Sequence, residues 1–314
     1  MPQVSRSVGI LLTIVFACVA VYAVQHDLSE LSSASLLAVW NLLALASLLS
    51  LGNYALRIHR WRLYLARLGH RLPLRFAGLT YIAGFAYTLS PGKVGEMVRA
   101  RYYAALQVPL TDVAAAFLAE RLLDVVAVVA LAGLLVTASP QSRTATFAAT
   151  GLAIAALAIL ATLPWKSLAA RVTGAERIPL RIRHRLAGAA RSLAGVRALL
   201  RPSMLAYGVV IGLVAWGLEG IGLDVLSSGF PAAHLPAAEG VGVYAVAVLV
   251  GGLSCLPGGL GSAEAAMTAL LAGYGYPLAQ ALLITVLCRL ATLWLAVVLG
   301  WVAVASLRER TQSA

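Results

Sequence analysis

Charged side chains recur inside stretches of this sequence that are otherwise apolar, and they do so in two similar settings. The first reads Ser90-Pro91-Gly92-Lys93-Val94-Gly95-Glu96, with Arg99 shortly after it. The second reads Leu256-Pro257-Gly258-Gly259-Leu260-Gly261-Ser262-Ala263-Glu264. Arg121 stands 30 residues after Pro91, and Arg289 stands 32 after Pro257. Proline removes a helix hydrogen bond and glycine permits backbone shapes that other residues resist, so each motif predicts a broken helix. A helix broken at membrane depth exposes N–H dipole ends that attract an anion, and Lys93 adds a positive point charge beside the first break. A lipid phosphate is a natural ligand for such a cluster. Breaks at matching positions in two halves point to a transporter's substrate site, whereas single breaks only end helices at loops.

Glu120, Arg121 and Asp124 form a further group, with Glu120 and Asp124 at i and i+4 on one face. Arg289 sits near the middle of the last apolar run, with Glu264 as its expected counter-ion, and Glu219 and Asp224 share the run 205–229. Charges inside spans are costly and tend to be functional; structural ion pairs that tie helices together are the other reading, and both can hold at once. The candidate translocation residues are thus Pro91, Gly92, Lys93, Gly95, Glu96, Arg99, Glu120, Arg121, Asp124, Pro257, Gly258, Gly259, Gly261, Glu264 and Arg289. Cys18, Cys255, Cys288 and the scattered histidines match no disulfide or metal spacing, so neither a metal nor a cofactor is expected. Gly208, Gly212, Gly217, Gly220 and Gly222 read as surfaces for close helix packing.

These residues need a scaffold, and composition names its kind. A chain of 314 residues that is 61% apolar and 11% charged, with mean hydropathy +0.88, is not a soluble domain. Runs at 8–24, 35–56, 112–137, 145–163, 205–229 and 277–304 are long enough to span hydrocarbon, which takes about 20 helical residues. Backbone polar groups stay paired in lipid only in helices or closed barrels, so the expected fold is an all-α integral membrane bundle. The first run also resembles a cleaved signal peptide, but its removal would put the arginine-rich stretch 57–75 on the wrong side.

The net charge of +12 is unevenly placed. Stretch 57–75 holds Arg57, Arg60, Arg62, Arg67, Arg71 and Arg75 without an acid, and 164–203 holds nine basic residues against Glu176. The opposite face has Arg143 beside Asp27, Glu30 and Glu239. This bias predicts a multi-pass protein of the cell (inner) membrane with both termini and both large loops cytoplasmic. Topology accounts for the charge, so no nucleic-acid partner is expected.

Parity then sets the plan. Residues 76–110 start and end inside, and Phe76–Leu89 would reach only ~21 Å as a helix, short of the ~30 Å core. A re-entrant hairpin with Pro91-Gly92 at its tip fits, although two short tilted spans would keep the same parity. Residues 240–275 mirror it from outside around Pro257-Gly258-Gly259. One transmembrane domain is expected over 1–314: repeat one at about 35–137, a linker at 164–203, and an inverted repeat two at about 205–304. About six full spans and two hairpins result. In the linker, Ile182, Leu186, Ala189, Leu193, Val196 and Leu200 form a stripe with Arg181, Arg185 and Arg191 off it. This predicts an amphipathic helix on the anionic cytoplasmic leaflet, or a plain topogenic linker.

At Arg57-Ile58-His59-Arg60-Trp61, Pro91 to Glu96 with Arg99, Glu120 to Asp124, Leu256 to Gly261 with Glu264, and Arg289, the sequence resembles the lysylphosphatidylglycerol synthase transmembrane, or flippase-like, family over about 9–305. The resemblance implies a lipid translocator of two inverted repeats. In bifunctional members the unit flips a phospholipid aminoacylated by a soluble synthase domain. This sequence ends at Ala314, directly after the last span, so a stand-alone member without lysyl transfer is expected.

The expected function is lipid flipping, with no enzymatic activity. The cargo would be an anionic, glycosylated or aminoacylated lipid. Lys93, Arg99, Arg121 and Arg289 would hold the headgroup while Glu96, Glu120, Asp124 and Glu264 balance charge or exchange protons. No P-loop pattern is present, so energy would come from ions, a lipid gradient or a partner. Expected partners are membrane lipids, with a separate lipid synthase or glycosyltransferase and a homo-oligomer also open. Two alternatives remain: a membrane-embedded headgroup transferase, and an accessory subunit presenting lipid to a synthase.

Overall fold

A computed structural model describes residues 33–135, 179–230 and 232–312, with isolated positions between 165 and 171. The expected spans 8–24 and 145–163, and with them Cys18, Asp27, Glu30 and Arg143, lie outside the described residues. Among the described residues the fold is all-helical, without strands.

Helix α1 (Ser33–Arg67) is followed by α2 (Leu74–Phe85), a 3-10 stretch (Pro91–Val98) that runs into α3 (Arg99–Ala104), and α4 (Leu110–Ala132). Then come α5 (Leu180–Leu199), α6 (Pro202–Ser227), α7 (Ala237–Leu253), a 3-10 turn (Pro257–Gly259) and α8 (Ser262–Gly273). Last is a rod made of α9 (Leu278–Arg289), a π turn (Leu290–Trp294) and α10 (Leu295–Gln312). Prolines punctuate the starts: Pro73, Pro109, Pro179, Pro236 and Pro277 immediately precede helices, and Pro202 opens α6. A proline disfavours helical backbone in the residue before it yet fits the first helical turn, where its missing N–H costs nothing. Helix α1 stops at Gly69, whose φ of +99° allows His70 N–H to reach Leu65 C=O and Gly69 N–H to reach Ala66 C=O. Those two bonds satisfy carbonyls that a helix end leaves open.

Val39–Arg67, Pro202–Ser227 and Leu278–Arg308 are long and apolar enough to cross a membrane. Helix α4 has the length, 23 residues, but carries Glu120, Arg121 and Asp124 along its middle. Helix α6 is the hub, touching α1, α4, α7 and α9. Glycines permit this closeness: a Cβ on Gly212 would lie 3.0 Å from Ala127 Cβ, and one on Gly220 would lie 2.7 Å from Val241 Cα. Gly208 likewise faces Tyr64 and Leu123, and Gly222 faces Ala46, whereas Gly217 faces open space. The contacts run Gly208 to Tyr64, Gly212 to Arg60 and Gly222 to Ala46, so α1 and α6 are antiparallel. Helices α7 and α8 pack on each other, and α10 packs on α2.

One expectation needs correction. Residues 57–67 are not loop: α1 continues through them, and Arg57 and Arg60 are buried at 4% and 0% exposure because carboxylates on α4 neutralise them. The loop is confined to the residues between Arg67 and Leu74, leaving Arg71 there. Helix α5 is present, and the face that it packs on the protein is set apart from most of its apolar stripe. Ala187, Ala190, Val196 and Leu199 are buried, whereas Ile182 and Leu186 are 50% and 46% exposed. The cause is contact with α4, where Gly195 leaves room for Ala115 to approach. Small residues, not the apolar stripe, set the docked face.

Candidate functional site

The two broken segments meet. Leu89 ahead of the first break lies against Gly258 of the second, and the two 3-10 stretches are in contact. Each break depends on backbone that ordinary residues avoid. Lys93 adopts φ +56°, Cys255 +54°, Gly258 +63° and Gly261 +86°. A non-glycine residue held in the left-handed region costs free energy and persists where surrounding structure enforces it, a pattern that clusters at ligand clamps. Gly95 has no such φ but no room either: a Cβ there would sit 2.5 Å from Tyr87 C=O, while its N–H donates to Ser90 Oγ at 2.7 Å.

Behind the first break the charges interlock. Arg60 and Arg57 from α1 reach Asp124, the latter at 3.2 Å, and both lie within 4 Å of Glu120. Arg99 donates to Glu96 at 2.7 Å and lies between the rings of Trp61 and Tyr81, 4.5 and 4.3 Å from their centroids. Gly84 leaves space for that guanidinium. Tyr81 O–H donates to Glu120, and Thr88 Oγ1 donates to Glu96 at 3.0 Å. Arg121 reaches Asp124 at 3.2 Å and Glu120 at 3.5 Å. Five cations, Arg57, Arg60, Lys93, Arg99 and Arg121, thus surround three carboxylates, Glu96, Glu120 and Asp124. Buried ions tolerate such surroundings only with close partners, and these carboxylates supply them for the four arginines.

The second break is tied more simply. Glu264 accepts the Gly261 N–H with one oxygen and Arg289 Nε with the other, each at 2.7 Å. Arg289 Nη2 also donates to the Gly258 carbonyl at 2.8 Å. The expected pairing of Glu264 with Arg289 is therefore present. Directly after Arg289 comes the π turn, and Tyr54 O–H donates to its Thr292 carbonyl at 2.6 Å. Single π turns inside α-helices are frequent at functional sites.

Both broken segments face one cavity of about 820 Å³. Of the candidate residues, Lys93, Glu96, Arg121, Asp124, Gly258, Gly259 and Arg289 line it. Arg99 and Glu120 lie behind the wall, fully buried, and Glu264 backs Arg289. Pro91, Gly92, Gly95, Pro257 and Gly261 belong to the backbone of the two breaks. Sequence reasoning missed Arg57, Trp216 and Tyr244 as wall residues and did not assign Glu219 to the site. The available signal was spacing: Arg57 and Arg60, and Trp216 and Glu219, recur at i, i+3 in apolar runs. Lys93 and Arg57 both lie over the Trp216 ring, at 5.5 and 5.3 Å. Arg57 Nε, Arg121 Nε and Trp216 Nε1 are buried donors with no hydrogen bond among the described residues, and Arg121 Nη2 is held by ion pairing to Asp124, Glu120 and Glu96. One wall is apolar and open: Val125, Leu253 and Leu256 line the cavity and are 45%, 76% and 41% exposed.

Long apolar helices around a charged cavity define an integral membrane protein. The chain belongs to the family described as the lysylphosphatidylglycerol synthase TM region, whose family model matches residues 7–300. It is also similar to a UPF0104 membrane protein of Methanothermobacter thermautotrophicus, 26% identical over 287 residues, which cover 87% of this chain and 85% of that protein.

Proposed function

We propose that this protein is a carrier, not an enzyme, that moves an anionic lipid between leaflets of the cell membrane. The cargo class includes glycosylated and aminoacylated lipids that retain a phosphate. One observation carries the reading. Buried donors without acceptors, on Arg57, Arg121 and Trp216, line the same cavity as exposed Val125, Leu253 and Leu256. An anionic headgroup satisfies the donors and offsets the surplus charge, while acyl chains remain against the apolar wall. The cavity volume falls within the roughly 300–1,000 Å³ that holds small ligands.

In this reading 1–314 is one transmembrane domain. Residues 35–137 and 205–304 are inverted repeats joined by the linker 164–203, and their breaks are re-entrant hairpins that rock against each other. The antiparallel course of α1 and α6, the first helices of the two halves, supports that plan. Both termini would be cytoplasmic. A separate lipid synthase or glycosyltransferase would supply the cargo, and a homo-oligomer is compatible with it.

The test is reconstitution with fluorescent phosphatidylglycerol in the inner leaflet and a membrane-impermeant quencher outside. Wild-type protein should expose the lipid to the quencher, and Lys93→Ala and Arg121→Ala should slow this at least about tenfold, the effect of losing one charge-assisted contact. Equal rates for wild type, variants and protein-free vesicles would refute the carrier.

A further inference from the structure

Among the described residues, Glu219 is the one buried carboxylate with no guanidinium or ammonium nitrogen within 4.0 Å. Glu96, Glu120 and Asp124 are all held by arginines. Glu219 stands on α6, one turn beyond Trp216, is 5% exposed and lines the cavity. Its partner is the O–H of Tyr244 on α7. The groups facing it are Tyr54 and Arg57 from α1, Lys93 from the first break, Tyr244 from α7, and Cys288 and Arg289 from α9. Asp124 on α4 shares the cavity but is occupied by arginines. The Trp216 ring carries Arg57 and Lys93 over it, and its centroid lies 6.5 Å from that of Tyr244.

We infer that Glu219 is a proton-binding site coupled to the headgroup site, so that an anion and a proton occupy the cavity together. This rests on the carrier reading. The charge on a buried carboxylate is set by the hydrogen bonds it accepts, here from Tyr244, and by the field of nearby cations. Before an anion binds, Lys93, Arg57 and Arg289 add to the Tyr244 bond in favouring the ionised form of Glu219. An anionic headgroup neutralises that field, and the carboxylate then takes a proton from water and becomes the neutral acid. Linkage makes the effect reciprocal: the anion binds more tightly at low pH, and that advantage is lost as pH rises through the window in which occupied Glu219 titrates. The proton gradient then becomes an energy source for moving the lipid, in a cavity with no nucleotide motif.

The experiment is calorimetric titration of the purified full chain with short-chain phosphatidylglycerol, in paired buffers of different ionisation enthalpy across a pH series. Wild type should take up close to one proton per lipid, with affinity falling about tenfold per pH unit in the titrating window. Glu219→Gln should bind lipid with the uptake abolished and the pH dependence flattened. Glu219→Asp, which keeps a titrating group, should retain both, so a folding defect in the glutamine variant is not mistaken for the effect. Binding by wild type without proton exchange, or equal uptake by wild type and Glu219→Gln, overturns the inference and leaves the carrier standing. Absence of binding at every pH removes the carrier reading and this inference with it.

Discussion

Lys93 and Arg60 carry the same charge into the same cluster and do opposite things with it. Arg60 is fully buried, bonded to Asp124 and the Gly208 carbonyl, and so joins α1, α4 and α6. Removing it strands Asp124 without its closest cation. Arg60→Ala should destabilise the fold by about 3–5 kcal/mol, the usual cost of breaking a buried ion pair from one side. A thermal melt in detergent reads this, and an unchanged midpoint would show that the pair is dispensable. Lys93 has no ion pair among the described residues and holds φ +56°. Lys93→Gly relieves that backbone and should leave the melting temperature equal or higher, by up to about 1 kcal/mol. The same variant should lose lipid movement. Transport at the wild-type rate would mean that the strained lysine is not part of the site.

Helix contacts follow small residues more than apolar stripes. At Gly220 a Cβ would press on the Val241 backbone at 2.7 Å, whereas at Gly217 it would meet nothing within 4 Å. Gly220→Leu should therefore cost about 1–3 kcal/mol through overpacking of α6 on α7. Gly217→Ala should instead stabilise by up to about 1 kcal/mol through helix propensity. Paired thermal melts separate the two; a common sign would contradict the α6–α7 contact. The same logic explains which face of α5 docks on α4. Ile182 and Leu186 stay exposed on the apolar stripe, while Gly195 against Ala115 offers closer backbone approach than bulky side chains allow. Such complementarity belongs to two surfaces and is invisible in either alone.

At the scale of the molecule, antiparallel α1 and α6 put the α1–α2 loop and the α6–α7 loop at opposite ends. Arg71 in the first loop and Ala238 in the first turn of α7, just after the second, are exposed. With a cytoplasmic α1–α2 loop, Arg71→Cys should react with an impermeant thiol reagent only in inside-out vesicles, and Ala238→Cys only in right-side-out ones. Reaction of both from one side would dismantle the proposed topology.

Helix content, the positions of the two breaks and the Glu264–Arg289 pairing were all readable from residue order. They depend on local rules: apolar run length, proline and glycine backbone limits, and the high cost of an unpaired charge in lipid. The role of Arg57 and Arg60 was not readable, because an arginine at the end of an apolar run looks the same whether it faces water or a carboxylate on another helix. Nor was the exclusion of Arg99 from the cavity wall, which follows from Trp61 and Tyr81 closing over it. Tertiary contact decided which charges are spent on one another and which, at Lys93 and Glu219, line the cavity with no ion pair among the described residues.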